Sequence, residues 1–124
     1  MKNYLLAGFG GGLGAMARYW LSGAVYTFLP TDFPYGNLIV NISGCLAIGI
    51  LMTSMQERFI ASPALRIFLT VGILGGFTTF SSFSYETVAL FGDSEVFRGC
   101  ISVFASVGGC LVATYAGSLI GKLF

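Results

Sequence analysis

Polar residues arrive in this chain as punctuation, and the spacing of that punctuation constrains the fold more than any other feature. Pro30, Asp32 and Pro34 close a first apolar run of about residues 4–29; Gln56, Glu57, Arg58 and Pro63 close a second of about 35–55. A third of about 64–91 ends in Gly92, Asp93, Ser94 and Glu95, and a fourth of about 96–124 completes the 124 residues. Each run exceeds the roughly 20 residues that cross a hydrocarbon core of about 30 Å. The expected fold is an all-α membrane protein, one domain over 1–124, with four transmembrane helices. The connections are too short for an extramembrane domain and make consecutive helices antiparallel neighbours. Function therefore has to sit within the membrane.

Composition removes most other function classes. Charged residues make up 9% of the chain against roughly 25% in a soluble domain, too few to coat a globular surface. Histidine is absent, which removes the commonest general base, the Ser-His and Cys-His nucleophile pairs and imidazole metal sites, so no enzyme is expected. A net charge of +1 offers no footprint for nucleic acid. Cys45, Cys100 and Cys110 stand alone, without a CxxC pair and in odd number, and read as small buried fillers. The first apolar run is too long for the h-region of a cleaved signal peptide and lacks a small-residue cleavage site followed by polar sequence. Lys2, Arg58, Arg66 and Lys122 fall on the side of both termini and Arg98 on the other, a lean towards cytoplasmic termini.

Glycine is the packing device. Gly8 with Gly12 and Gly10 with Gly14 form two interleaved GxxxG spacings, repeated by Gly72 with Gly76 and Gly117 with Gly121. Gly10-x-Gly12-x-x-Ala15 also fits a permissive nucleotide fingerprint, but no strand precedes it. Four helices enclose little volume, so a solute pathway would need a second copy of the chain.

Within a bilayer each polar group needs a partner or a role. The last run carries Ser102, Ser106, Cys110, Thr114 and Ser118 at spacings of four, a polar track along one helix face. Interhelical hydrogen bonding is its first reading, a solute track the second. Asn41 is either a clamp between helices or a ligand group, since its amide brings two donors and an acceptor. The third run holds Gly75-Gly76-Phe77-Thr78-Thr79-Phe80-Ser81-Ser82-Phe83-Ser84, a poor continuous helix, which predicts a break near mid-span. Broken helices at membrane depth persist where freed N–H and C=O groups are buried in protein, bind an ion or line a wet cavity. Phe80 and Phe83 would project from that break, as core packing or as aromatic edges. Arg18 lies mid-run in the first segment and Glu86 late in the third, where they could pair or face water. Hydroxyls, an amide NH2 and positive ring edges suit a small anion better than a cation, and neutral donors replace water without trapping the ion.

Gly11-Gly12-Leu13-Gly14-Ala15-Met16-Ala17-Arg18-Tyr19, Gly36-Asn37-Leu38-Ile39-Val40-Asn41 and Gly75 through Glu86, in that order, resemble the small bacterial fluoride channels known as Fluc or CrcB. The resemblance covers essentially the whole chain, and its third motif is the specific one. It implies an antiparallel, dual-topology homodimer in the bacterial cytoplasmic (inner) membrane, surrounded by lipid, that lets fluoride leave the cytoplasm passively. It also implies that Asn41, Phe80 and Phe83 line the fluoride pathway together with hydroxyls such as Ser81, Ser106 and Thr114. Arg18 would lie near a vestibule, and the Gly75 and Thr78 carbonyls would hold a structural sodium ion (Na+) on the dimer axis. The chain departs from the family in its fourth segment, where members often carry a tyrosine and this sequence has Ser102 and Phe104, with Cys110 interrupting the hydroxyls. The alternative from another class, a small multidrug-resistance type exporter, calls for a glutamate in the first helix that this chain lacks. A purely structural subunit would leave the break unexplained.

Overall fold

The computed structural model describes residues 1–57 and 60–124; Arg58, counted in the charge lean, lies outside them. The described residues form helices and no strand. Helix α1 is Lys2–Tyr26 and α2 is Tyr35–Glu57. The third pass opens as Pro63–Arg66, widens to i→i+5 turns over Ile67–Leu74 and tightens again over Gly75–Phe77, a run called α3 below. Helix α4 is Phe80–Gly92 and α5 is Val96–Gly121. Local chemistry starts the third pass: Ser62 is extended and accepts the Leu65 N–H at 3.2 Å, and Pro63 occupies the first helical position, where its missing N–H costs nothing.

Three helical segments are long and apolar enough to cross a membrane, Tyr35–Glu57, Pro63–Gly92 and Val96–Gly121. At 25 residues α1 has the length, but six glycines, Lys2 and Arg18 dilute its apolarity.

The segments associate as two parallel pairs. Along α1 and α3 the facing positions rise together, Gly10 against Gly72 and Gly14 against Ile73 and Phe77; along α2 and α5 the same holds for Ile42 against Gly109, Leu46 against Gly117 and Ile50 against Gly121. First and third passes therefore run one way, second and fourth the other.

Only one of the two interleaved glycine registers in α1 faces a neighbour. A methyl group at Gly14 would collide with the Ile73 carbonyl and lie 2.8 Å from the Phe77 nitrogen, whereas around Gly8 and Gly12 nothing lies within 4 Å. Small residues thus turn inwards, and many of the bulky apolar ones point out. Phe9, Trp20, Phe97, Phe104 and Tyr115 are all more than two-thirds exposed, while the largest fully buried side chains among the described residues are Val40 and Ser102. That inversion suits lipid or a partner outside, since dispersion contacts and close backbone packing, not water exclusion, drive helix association in a bilayer.

Candidate functional site

The third pass loses its helical course at Thr78 and Thr79, with φ, ψ of −85°, 153° and −150°, 125°. Both are β-branched and comfortable in extended backbone, and they follow two glycines that hold helix weakly. Thr79 then caps α4 by accepting the Ser82 N–H on its hydroxyl at 3.3 Å.

Asn41 closes the gap. Its Nδ2 donates to the Thr79 carbonyl at 3.0 Å and its Oδ1 accepts the Thr79 N–H at 2.9 Å, so one buried amide stands in for both backbone partners that Thr79 would have had in a helix. The clamp and ligand readings are thereby not exclusive: the second Nδ2 hydrogen is still free to donate.

In a continuous helix the Thr79 N–H would close on the Gly75 carbonyl and the Ser82 N–H on the Thr78 carbonyl. Both donors are taken by side chains, Asn41 and Thr79, and the Gly75 and Thr78 carbonyls lose their usual partners together.

Arg18 meets the same region from α1. Its Nε donates to the Gly76 carbonyl at 3.2 Å, placing a cation at the negative end of α3. It makes no pair with Glu86, which lines a separate cavity of about 380 Å³ with Tyr26, Asp32 and Arg98. The Glu86 Oε2 has no hydrogen-bond partner among the described residues. Arg98 instead bridges Asp32 at 3.2 Å at that end of the molecule.

A cavity of about 260 Å³ opens beside the break. Asn41 and Cys45 line it from α2, Thr78 and Thr79 from the break, Phe80 and Phe83 from α4, and Ser106, Val107 and Cys110 from α5. The Phe80 and Phe83 rings lie 5.4 Å apart at 59°, a tilted pair that offers ring edge as well as face, and Phe80 remains 76% exposed.

The expected residues therefore divide. Asn41, Phe80, Phe83 and Ser106 share this cavity. Ser81 does not: it lies on the outer side of α4 in a shallow pocket with Ser82, Tyr85 and Glu86, because successive helical positions diverge by about 100°. Thr114 is a full turn beyond Cys110, where α5 presses on Gly49, and is outside the cavity as well. The polar track of α5 divides among several roles. Ser102 hydrogen-bonds Thr87 at 2.9 Å as a buried clamp, Ser106 and Cys110 face the cavity, and Ser118 bonds back to the Tyr115 carbonyl. Sequence reasoning does not single out Cys45 or Thr79 for the site. Cys45 stands four residues beyond Asn41, one helical turn on the same face, which is the signal that points to it.

Residues 5–118 match the family model described as CrcB-like protein, Camphor Resistance (CrcB). The chain belongs to the CrcB family. A protein of Geobacter sulfurreducens named fluoride-specific ion channel FluC is 46% identical over 112 residues, 90% of each chain. One of the same name from Geotalea uraniireducens is 45% identical over 122 residues, 98% of each, and another from Geotalea daltonii is 45% identical over 117 residues, 94% of each.

Proposed function

We propose that this chain is a fluoride-selective channel of the bacterial cytoplasmic membrane, working as an antiparallel homodimer inserted in both orientations and crossing the bilayer four times per copy, α1 included. The observation that carries the reading is the Asn41 clamp, which holds the third pass open at Thr79 and sets Phe80 and Phe83 on a cavity shared with Ser106. The names of the relatives agree with it.

Fluoride is small and strongly hydrated, so it enters only where donors replace its water. The spare Asn41 hydrogen, the Ser106 hydroxyl and the positive edges of Phe80 and Phe83 are neutral donors of that kind, and the positive end of the α4 dipole lies at the same place. None carries a full charge, so none binds the ion too tightly for it to leave. Arg18, tied to the Gly76 carbonyl, raises the anion concentration near the entrance without standing in the cavity wall. A second copy packed against the exposed ring of Phe80 would complete each pathway.

The Gly75 and Thr78 carbonyls fit a structural sodium ion. Uncharged oxygens freed by a helix break at membrane depth are the ligands a hard monovalent cation takes, and two copies meeting on a two-fold axis would supply four. When bound, the ion supplies positive charge between the pathways and is not itself transported.

Purified protein in liposomes tests the reading: fluoride should leave while chloride stays, and Phe80→Ile or Phe83→Ile should slow fluoride at least tenfold in a protein that still folds. Equal loss of both anions, or unchanged flux in both variants, overturns it. Efflux with sodium replaced by a large organic cation tests the ion, and full activity would exclude it. Labelling a loop cysteine in intact cells should succeed from both sides; one side only would exclude dual insertion.

A further inference from the structure

The proposed pathway leaves two groups of its own wall unused. Cys45 from α2 and Cys110 from α5 both line the cavity beside the break, both are free thiols, and both are partly accessible. They stand on facing stretches of the α2–α5 seam, between the contact of Gly109 with Ile42 and that of Gly49 with Thr114. The seam fixes their spacing, because Gly49 and Gly109 let the two helices approach until a methyl group at either would strike the opposite helix. Cys100, the remaining cysteine, is exposed and lines none of this cavity.

Two thiols on the wall of one small cavity, with no third such ligand, define a narrow chemistry. Among the described residues no group of three His, Cys, Asp or Glu side chains gathers anywhere, so a tetrahedral or octahedral ion could not complete its coordination from charged or soft ligands. A soft cation content with two sulfurs could, and thiolates select copper(I) and its like over hard ions.

We propose that Cys45 and Cys110 form a two-sulfur site for a soft monovalent d10 cation, copper(I) or silver(I), and that its occupation closes the cavity to fluoride. Binding deprotonates both thiols and forms two metal–sulfur bonds, and the two protons leave to the buffer. Two neutral thiols plus one cation thereby become a bis-thiolate centre of net charge −1. The wall of an anion route gains bulk and negative charge in the same step, with Asn41 and Phe83 lining the same space. The closing effect rests on the fluoride-pathway reading; the cation site itself does not.

The experiment uses the full chain carrying Cys100→Ser, which removes the exposed thiol and leaves fluoride flux unchanged. Silver(I) is added as nitrate in chloride-free buffer. One silver should bind per chain, measured by metal analysis after dialysis against a competing soluble thiol, and the bound ion should shield both cysteines from a maleimide. In proteoliposomes the same addition should slow fluoride efflux at least tenfold, with recovery on adding excess dithiothreitol. Adding Cys45→Ser or Cys110→Ser should weaken silver binding at least a hundredfold and abolish the block, scored against each variant's own silver-free rate. Alanine versions, required to elute like the parent protein, guard against a folding defect. If silver binds no tighter to the parent than to either single variant, the site is overturned and the pathway reading stands. If silver binds one per chain, depends on both cysteines and leaves fluoride flux untouched, the site stands and the assignment of this cavity to the pathway fails.

Discussion

The glycine seams and the helix break solve the same problem in opposite ways. Where Gly14 meets Ile73 and Gly49 meets Thr114 the backbone is helical and supplies its own hydrogen-bond partners, so side chains can be dispensed with and the backbones nearly touch. At Thr78 and Thr79 the backbone lacks its own partners, and side chains take their place, Asn41 on both polar groups of Thr79 and Thr79 on Ser82. A seam therefore tolerates no added atoms, while the break tolerates no missing ones. The polar side chains of the candidate site lie where backbone has been freed, which is why the site and the break coincide.

Removing atoms from the break should produce the largest effect. Asn41→Ala leaves the Thr79 N–H and C=O without partners in a low-dielectric setting, each costing about 1–3 kcal/mol. Thermal melting in detergent should fall accordingly, and fluoride efflux should be lost. Asn41→Asp retains an acceptor for the Thr79 N–H but, ionised, buries a charge and sets a carboxylate oxygen against the Thr79 carbonyl, so its loss of stability should be at least as large and flux should be lost equally. Equal melting of Asn41→Ala and the parent would break the contrast between the two regions.

Adding an atom to a seam comes next. Gly14→Ala drives a methyl into the backbone of Ile73 and Phe77 and should cost about 1–3 kcal/mol, the range of an overpacked core. Gly12→Ala meets nothing within 4 Å and replaces glycine by a better helix former, so it should be neutral or stabilising by up to about 1 kcal/mol. Opposite signs two residues apart, read as melting temperatures, would establish which glycine register is the working one. Similar values for both would undo it.

That register was not legible in the sequence. Two interleaved GxxxG spacings are equivalent on paper, and the choice between them depends on how α1 is rotated against α3, a property of the packed pair. The helix break was legible, because glycine pairs and β-branched threonines disfavour helix locally. Its stabilising partner was not, since Asn41 is 38 residues away from Thr79 and only the fold brings them together. Ser81 and Thr114 show the converse limit. Both sit in the right motif or track, but one helical position or one turn carries a side chain out of the cavity. The widened turns over Ile67–Leu74 have no sequence signature, as Ile-Phe-Leu-Thr-Val-Gly-Ile-Leu reads like any apolar helix.

A milder test concerns polar groups that do not serve the break. Thr87 and Ser102 satisfy each other across α4 and α5, one 5% and the other 1% exposed. Removing either hydroxyl strands its partner, and interhelical bonds in membranes average about 0.6 kcal/mol, so Thr87→Val or Ser102→Ala should each cost about that much. The double variant should cost less than the sum, because the second change removes a group already orphaned. Strict additivity would mean that the two hydroxyls do not stabilise each other.

The smallest effect belongs to the loop that lets α4 turn back as α5. Ser94 has φ of 63°, the left-handed region, where a Cβ crowds the following carbonyl at a cost of about 1–2 kcal/mol. Among the described residues no other non-glycine has a positive φ. The residue belongs to neither region compared above, for its backbone is neither packed against another helix nor replaced by a side chain; it is bent by a tight connection. Glycine removes the steric cost at that angle but gives the unfolded chain more freedom, which offsets about 0.5–1 kcal/mol of the gain. Ser94→Gly should therefore raise stability by about 0.5 kcal/mol and leave fluoride flux unchanged, since Ser94 touches neither the cavity nor a seam. A matched Ser94→Ala retains the Cβ and should gain nothing. If glycine lowers the melting temperature while alanine does not, the serine side chain is contributing an interaction of its own, and the loop belongs with the break among the places where side chains carry the fold.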